Sequence, residues 1–232
     1  MPFRRLAILP LVLTALPLQA EVNKVFSPTV EAGEWELEAR GYVTEDDRNA
    51  FDGRQVNKLD VAVGVTDYWM TELELVYAKE PGDSQELEAY ASENVFQFNE
   101  RSGDGPVFGL FVELEKERDA DLKEFVIGPI AQGYWGQWTG TANLFFEKQY
   151  GSDRDESGIE TRGAAQLKYE MDEEFQPGVE YYGDDDEQHL GPALFGELDL
   201  GGHELNYEFA ALAGLNDDTP DWSVRWMFEL EL

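Results

Sequence analysis

The chain has 232 residues, of which 49 are acidic and 17 basic, and its formal net charge at pH 7 is −32. This balance argues against nucleic acid as a partner, because neutralising phosphates requires a basic face. The chain has no cysteine, which excludes a disulfide scaffold, a thiolate metal site and a cysteine nucleophile. Hydrophobic residues make up 42% of the chain and aromatic residues 13%, too much for a disordered acidic segment.

Residues 1–20 are typical of a secretory signal peptide. They begin with the basic pair Arg4 and Arg5, continue with an apolar run, and end at Ala20, a small residue suited to cleavage. The apolar run is short for a membrane span and contains two prolines. We therefore expect this segment to be removed and the mature chain to lie outside the cytoplasm.

Residues 21–232 alternate apolar and polar side chains, as strands with two different faces do. Leu73 and Leu75, for example, alternate with Glu72 and Glu74. No linker or change of periodicity divides this region, so we predict one domain, an all-β transmembrane antiparallel β-barrel of about twelve strands. The predicted strands are 34–44, 55–66, 69–79, 85–98, 107–116, 122–132, 137–149, 159–171, 175–183, 188–199, 203–214 and 222–232.

The segments between these strands alternate in character. With both chain ends in the periplasm, one set forms periplasmic turns and the other, with 19 acids and four bases, faces outward. We call the two ends of the barrel the turn rim and the loop rim. The turn-rim segments are 66–69, 99–105, 133–136, 172–174 and 200–202, and the loop-rim segments are 45–53, 80–84, 116–121, 150–157, 183–188 and 215–221.

Two features favour a membrane barrel over a soluble β-sandwich, whose strands also alternate. The polar face is charged along whole strands, whereas the other face stays apolar to its end. Aromatic residues also cluster at the strand ends, where their rings suit the two bilayer interfaces. They are Trp35, Tyr68, Trp69, Tyr134, Trp135 and Trp138 at the turn rim, and Tyr77, Tyr150, Tyr181 and Trp222 at the loop rim.

A Gly-Pro pair recurs at like positions of two predicted strands, as Gly128-Pro129 and Gly191-Pro192. Proline has no amide hydrogen to donate to a neighbouring strand. Each pair therefore predicts a β-bulge.

The carboxyl-terminal residues 222–232 resemble the closing strand of bacterial outer-membrane proteins, although that strand usually ends in an aromatic residue and this chain ends in Leu232. The mature chain also resembles a family of small, uncharacterised proteobacterial outer-membrane β-barrel proteins, loosely similar to porins and transporters, in residues 64–73, 126–129 and 189–193. The resemblance implies residence in the outer membrane of a Gram-negative bacterium, contact with its lipid, and recognition of the last strand by the barrel assembly machinery. It implies no catalytic residue.

If the apolar face meets lipid, the charged face lines the lumen and any path for solute. Its surplus of acids must be hydrated, ion-bound or partly protonated, because unpaired charge in a dry interior is very costly. We therefore predict a passive channel or binding barrel for small cationic or polar solutes. A structural barrel plugged by its own side chains, with no transport, is an alternative. The predicted lining acids are Glu36, Glu38, Asp60, Glu72, Glu74, Glu93, Glu113, Glu115, Glu124, Glu147, Glu180, Glu197, Glu204, Glu208, Glu229 and Glu231, and the bases are Arg40, Lys58, Arg162, Lys168 and Arg225.

Two further interpretations have less support. Asp184, Asp185 and Asp186 offer oxygen ligands for Ca²⁺ or Mg²⁺, but their spacing matches no calcium-loop motif, and a solvated acidic surface explains them as well. An outer-membrane enzyme acting on lipid is the second alternative, with His189 as its base. The nearest serine expected on the lipid face, Ser223, shows no motif. We therefore predict no catalytic residue, no metal and no cofactor.

Overall fold

The computed structural model of the chain describes residues 24–154 and 157–232, which form twelve strands in one closed antiparallel barrel. Each strand pairs with its neighbours in sequence, and β1 closes the ring against β12. The predicted fold class is confirmed, and the predicted strand ends are correct to within a few residues. The strands are β1 Trp35–Glu45, β2 Gln55–Thr66, β3 Trp69–Lys79, β4 Glu86–Gln97, β5 Val107–Glu117, β6 Lys123–Trp135, β7 Trp138–Tyr150, β8 Glu160–Tyr169, β9 Gln176–Gly183, β10 Gln188–Asp199, β11 Glu204–Gly214 and β12 Trp222–Glu231.

The predicted signal peptide, residues 1–20, lies outside the described residues and stays a prediction. Within residues 24–154 and 157–232, no helix is long and apolar enough to cross a membrane.

Alternation along each strand separates an apolar outer wall from a charged inner wall. On β3, the Leu73 residue is 63% exposed, whereas Glu72 and Glu74 on either side of it are each 2% exposed. Leu144 on β7 and Phe209 on β11 are exposed in the same way. An outer surface of this kind matches the hydrocarbon core of a bilayer, and the polar inner surface matches a lumen.

Exposed aromatic rings mark the turn rim, among them Trp35, Trp135 and Trp138. Tyr134 was predicted to be one of these exposed aromatic residues, and that prediction is wrong. Its ring is only 8% exposed and lies 3.6 Å from the guanidinium carbon of Arg101. Adjacent residues of a strand point to opposite faces, so Trp135 takes the outer position and Tyr134 the inner one.

The bulges predicted at Pro129 and Pro192 do not form. Pairing on either side of each proline keeps the same register, with only the Gly-Pro positions left out. A Cβ at Gly128 would lie 2.0 Å from a carbonyl oxygen of the adjacent strand, and one at Gly191 would lie 1.9 Å from its equivalent. The absence of a side chain at each glycine lets the strands stay in close contact past the proline, so no residue has to be extruded.

Replacing Leu144 with arginine should lower the free energy of unfolding by about 2–4 kcal/mol, because Leu144 faces outward in the middle of β7 and the arginine would have to enter hydrocarbon. The measurement is urea denaturation of protein refolded into vesicles, followed by heat-dependent gel mobility. The control is Gln166→Arg on the inner wall of β8, which should cost less because the lumen is polar. Equal losses would mean that the two walls are assigned wrongly.

Candidate functional site: the barrel lumen

The side chains predicted to line the lumen lie at the inward positions of their strands. Those deepest in the barrel are buried, and those nearer the ends are more open. The buried set is Glu38, Arg40, Lys58, Asp60, Glu72, Glu74, Glu93, Glu113, Glu115, Glu124, Glu147, Glu180 and Arg225. Glu36, Arg162, Lys168, Glu197, Glu208, Glu229 and Glu231 are half-buried, and Glu204 is exposed at the turn rim.

Arg40 is the centre of the larger charged cluster on the inner wall. Its guanidinium is fully buried and forms hydrogen bonds with five carboxylates from β1 to β4. Guanidinium suits this position because its planar fork offers several N–H donors at once. Lys58 adds a second positive charge, 2.9 Å from Glu74. The five carboxylates are Glu38, Asp60 at 2.8 Å, Glu72 at 3.3 Å, Glu74, and Glu93 at 2.9 Å.

A second cluster surrounds Arg225 on β12. Glu180 accepts two hydrogen bonds from this guanidinium, both 2.8 Å long, and Glu208 accepts another. The Tyr182 hydroxyl donates to the same Glu180 carboxylate at 3.3 Å. Arg40 and Arg225 lie on the first and the last strand of the chain. Because β1 pairs with β12, the two arginines nevertheless lie on adjacent strands.

The carboxylates outnumber the basic groups that contact them. Arg162 contributes a further positive charge, 3.8 Å from Glu113 and 3.6 Å from Glu147. Among the described residues, the groups of three carboxylates whose oxygens all lie within 4.8 Å of one another are on this inner wall. They are Glu38 with Asp60 and Glu72, Glu72 with Glu74 and Glu93, and Glu74 with Glu113 and Glu115.

The acidic loop at Asp184 does not form such a group within the described part of the chain. The Asp184 carboxylate accepts backbone N–H bonds from Asp186 at 2.8 Å and Glu187 at 2.6 Å, and Asp185 and Asp186 are exposed. Because Asp184 is used to shape its own turn, the loop matches the solvated-surface interpretation.

Residues 24–33 lie inside the barrel, which our sequence analysis did not predict. The backbone of Phe26 makes two hydrogen bonds with the Asn143 side chain, 2.8 and 2.9 Å long, on the wall formed by β7. The Val30 amide donates to Gln97 at 2.9 Å. These inward amide side chains satisfy the backbone of a segment that is not itself part of the sheet.

The ring of Phe26 completes an apolar cluster inside the barrel. Its centroid is 4.2 Å from that of Phe111 and 6.1 Å from that of Phe145. Lys24 extends from the same segment to contact Glu38 and lies 3.5 Å from Glu229. The signal that could have revealed this segment is the set of inward apolar residues on neighbouring strands, such as Val95, Phe111 and Phe145, which need an apolar partner inside the barrel.

The segment divides the space within the barrel. Beside Phe26 and Lys24 there is a cavity of about 20 Å³, bordered by Glu93 and Arg162, which is room for roughly one water molecule. Towards the turn rim a wider space of about 260 Å³ opens between Lys24 and the walls of β8 to β12. Residues 24–33 thus occupy volume that an unobstructed channel would leave to water.

At the loop rim, Arg48 connects the loop that follows β1 with the loop that precedes β12. It binds the Asp46 carboxylate and the backbone oxygens of Asp217 and Thr219, the latter at 2.6 Å. Asp46 also accepts a bond from the Asp221 amide at 3.1 Å. Hydrogen bonds from Arg48 lower the pKa of Asp46 to about 2.

The two residues considered for an enzyme both point into the barrel. His189 is 1% exposed, with its Nε2 atom 3.4 Å from Glu187. Ser223, which was expected on the lipid face, is completely buried on the inner wall, so that expectation is wrong. The alternation of β12 sends Val224 outward and Ser223 inward. The lipid face therefore offers neither group to a lipid substrate.

No known family model and no curated protein matches the chain. Solved structures do resemble it. The COG4313 outer-membrane channel from Pseudomonas putida F1 superimposes with a TM-score of 0.59 and 11% identity, covering 88% of this chain and 97% of the channel. The KdgM porin, solved in complex with disordered oligogalacturonate, superimposes with a TM-score of 0.56 and 8% identity, covering 84% of this chain and 97% of the porin. The chain therefore has the fold of outer-membrane β-barrel channels.

The Asp46–Arg48 contact predicts how the loop rim responds to acid. Because the folded pKa of Asp46 lies below its ordinary value, this contact stabilises the loops above about pH 4 and is lost as the pH falls towards 2. Hydrogen exchange at the Arg48 and Asp221 amides should therefore stay slow, relative to free peptide, near pH 5 and lose protection near pH 2. In Arg48→Gln the protection should already be reduced at pH 5. Equal protection in the wild-type protein and in Arg48→Gln, at both pH 5 and pH 2, would show that the Asp46–Arg48 contact does not stabilise the loops.

Proposed function

We propose that the protein is an outer-membrane channel for small cationic or polar solutes, with an acidic lumen that residues 24–33 narrow. The observation that carries this proposal is the excess of inward carboxylates, five of which share the single guanidinium of Arg40. A wall with surplus negative charge concentrates cations and repels anions, most strongly where the lumen is narrow. The fold of the two channel structures supports the same function.

The polar lining of the space at the turn rim supports passage of hydrated solutes rather than storage of an apolar ligand. Amide and charged side chains, including Gln132, Gln176 and Asn206, make up most of its wall. Such groups can exchange hydrogen bonds between water and a passing solute. The barrel without transport remains the second hypothesis, and the position of Phe26 in the lumen is the observation that favours it.

The acidic lumen predicts cation selectivity. Reversal potentials across a planar bilayer in a salt gradient should show cation preference, and the preference should weaken between 0.1 M and 1 M salt, as the Debye length falls from about 10 Å to about 3 Å. Replacing Glu72, Glu113 and Glu208 together by glutamine should reduce it further. Glutamine can still accept the bonds from Arg40 and Arg225, so the change removes charge more than shape.

The matched control removes three charges from the loop at Asp184, Asp185 and Asp186 by replacing each with asparagine. These residues lie at the loop rim and not on the inner wall, so the selectivity should change much less. An anion-selective current in the wild-type protein would overturn the acidic-lumen proposal. A complete absence of current, both in the wild-type protein and after deletion of residues 24–31, would favour the barrel without transport.

Deleting residues 24–31 should increase the single-channel conductance, because the deletion frees the volume that Phe26 and its neighbours occupy. Asn143→Leu should act in the same direction but less strongly, since it removes both hydrogen bonds to the Phe26 backbone and leaves the ring in place. Single-channel recording measures both, with heat-dependent gel mobility to establish that each variant is folded. Unchanged conductance in both folded variants would show that this segment does not limit the path.

A further inference from the structure

Three lysines lie side by side on the outer wall at the loop rim. They are Lys116 on β5, Lys123 on β6 and Lys148 on β7, and we refer to them as the lysine patch. Each follows or precedes a buried inward carboxylate in its strand, so alternation turns the lysine itself outward. Three adjacent strands thus bring basic groups together on the outside of a protein whose formal net charge is −32.

The strand register places the three lysines within reach of one another. Lys116 and Lys123 are direct partners in the β5–β6 pairing, and the direct partner of Lys123 on β7 is Tyr150, two residues from Lys148. Side chains directly opposite each other have Cβ atoms about 4.5–5.5 Å apart, and diagonal neighbours lie about 7–8 Å apart. Like charges directly opposite each other destabilise a sheet. An anion among the three ammonium groups would remove that cost.

The described part of the chain supplies little of that negative charge. In residues 24–154 and 157–232, the ammonium groups of Lys116 and Lys148 donate to backbone oxygens of the adjacent loops and form no ion pair. Lys123 lies 3.8 Å from the Asp121 carboxylate, but the Lys123 side chain is 58% exposed, and that carboxylate already accepts two hydrogen bonds from Ser152. The patch therefore keeps charge and donor capacity for a ligand that approaches from outside the barrel.

The residues around the patch match a lipid headgroup and its acyl chains. An exposed tyrosine flanks the pair of opposed lysines on each side, which completes a row of directly paired outward residues across β4 to β7. The row is Tyr90, Lys116, Lys123 and Tyr150. Tyrosine hydroxyl groups at this level can donate to a phosphate. The next outward row towards the middle of the bilayer contains the direct pair Leu114 and Phe125, which suits hydrocarbon.

We propose that the lysine patch binds a lipid of the outer leaflet that carries two phosphate groups. Lysine binds phosphate as a point charge. Two strand spacings, about 10 Å, separate β5 from β7, so the patch is broader than one phosphate. With the chain ends in the periplasm, the loop rim adjoins the outer leaflet, and the acyl chains would lie against Leu114 and Phe125. This inference concerns the outer wall and goes beyond the proposed channel function, on which it does not depend.

Other membrane components leave the charge of the patch uncompensated. A zwitterionic phospholipid brings an ammonium group together with its phosphate, and the lysines repel that ammonium. A neutral glycolipid offers hydroxyl groups but no charge. A lipid with one phosphate compensates the pair formed by Lys116 and Lys123, whereas a second phosphate also gives Lys148 a partner.

The test is native mass spectrometry of the full mature protein in detergent, titrated with lipid A, monophosphoryl lipid A and phosphatidylglycerol. Lipid A carries a phosphate at each end of a disaccharide, and the monophosphoryl form lacks one of them. The wild-type protein should bind lipid A about fivefold more tightly than either lipid with one phosphate, which is the usual contribution of one basic residue at an anionic membrane surface. Lys123→Gln should weaken lipid A binding about fivefold, and replacing all three lysines by glutamine should weaken it about a hundredfold.

The matched control is Lys79→Gln, which removes a lysine at the loop rim of β3, where its direct partner on β2 is Gln55 and not a second lysine. It should leave the affinity for lipid A unchanged. A second measurement is the unfolding temperature in lipid-free detergent. Lys123→Gln should unfold at the wild-type temperature or above it, because the change removes the repulsion between Lys116 and Lys123.

Three results would each overturn the proposal: equal or tighter binding of the lipids with one phosphate, an unchanged affinity for lipid A in the triple variant, or an equal loss of affinity in Lys79→Gln. A lower unfolding temperature of Lys123→Gln with unchanged lipid A affinity would assign this lysine a structural role and would also overturn it. Because the titration requires no current, lysine-dependent lipid A binding without conductance would refute only the channel function, and cation-selective current without such binding would refute only this inference.

Discussion

A chain that crosses a bilayer as strands must satisfy every backbone N–H and C=O group without water, and only a closed ladder does so. The pairing of β1 with β12 completes that ladder here, and the rest of the structure depends on it. Closure forces one residue of every adjacent pair into the lumen. The charged residues, which hydrocarbon cannot accept, are therefore collected in one enclosed space.

That enclosure explains the form of the charged clusters. Carboxylates from several strands are brought close together, and they repel one another unless a cation lies between them. Arg40 and Arg225 fill this role because the planar guanidinium offers several N–H donors and can bond more than one carboxylate at once. The surplus negative charge that remains is the physical basis for cation preference.

The segment inside the barrel, residues 24–33, changes both the volume and the charge of the lumen. Phe26 packs on Phe111 and Phe145, while Lys24 brings a positive charge to the acids near the turn rim. The same segment thus fills apolar volume, offsets charge and forms one side of the wider space at the turn rim.

The amino-acid sequence by itself determined the barrel class, the number of strands and the wall on which the charged residues of the strands lie. This was possible because alternation is a local property, visible in neighbours such as Leu73 and Glu74. Alternation could also have placed Tyr134 correctly, because it lies next to Trp135, and adjacent residues of a strand point to opposite faces. The prolines were harder to interpret, because whether Gly128 allows close strand contact depends on the carbonyl opposite it.

Only the tertiary structure decided which lumen charges are paired and what else fills the lumen. The five partners of Arg40 come from four strands, and Phe26 meets Asn143 across 117 residues of sequence. Nothing local in residues 24–33 shows that they fold into the barrel, because the segment neither alternates nor pairs with a strand along its length. Contacts of this kind depend on the three-dimensional path of the whole ring, and no period in the sequence records them.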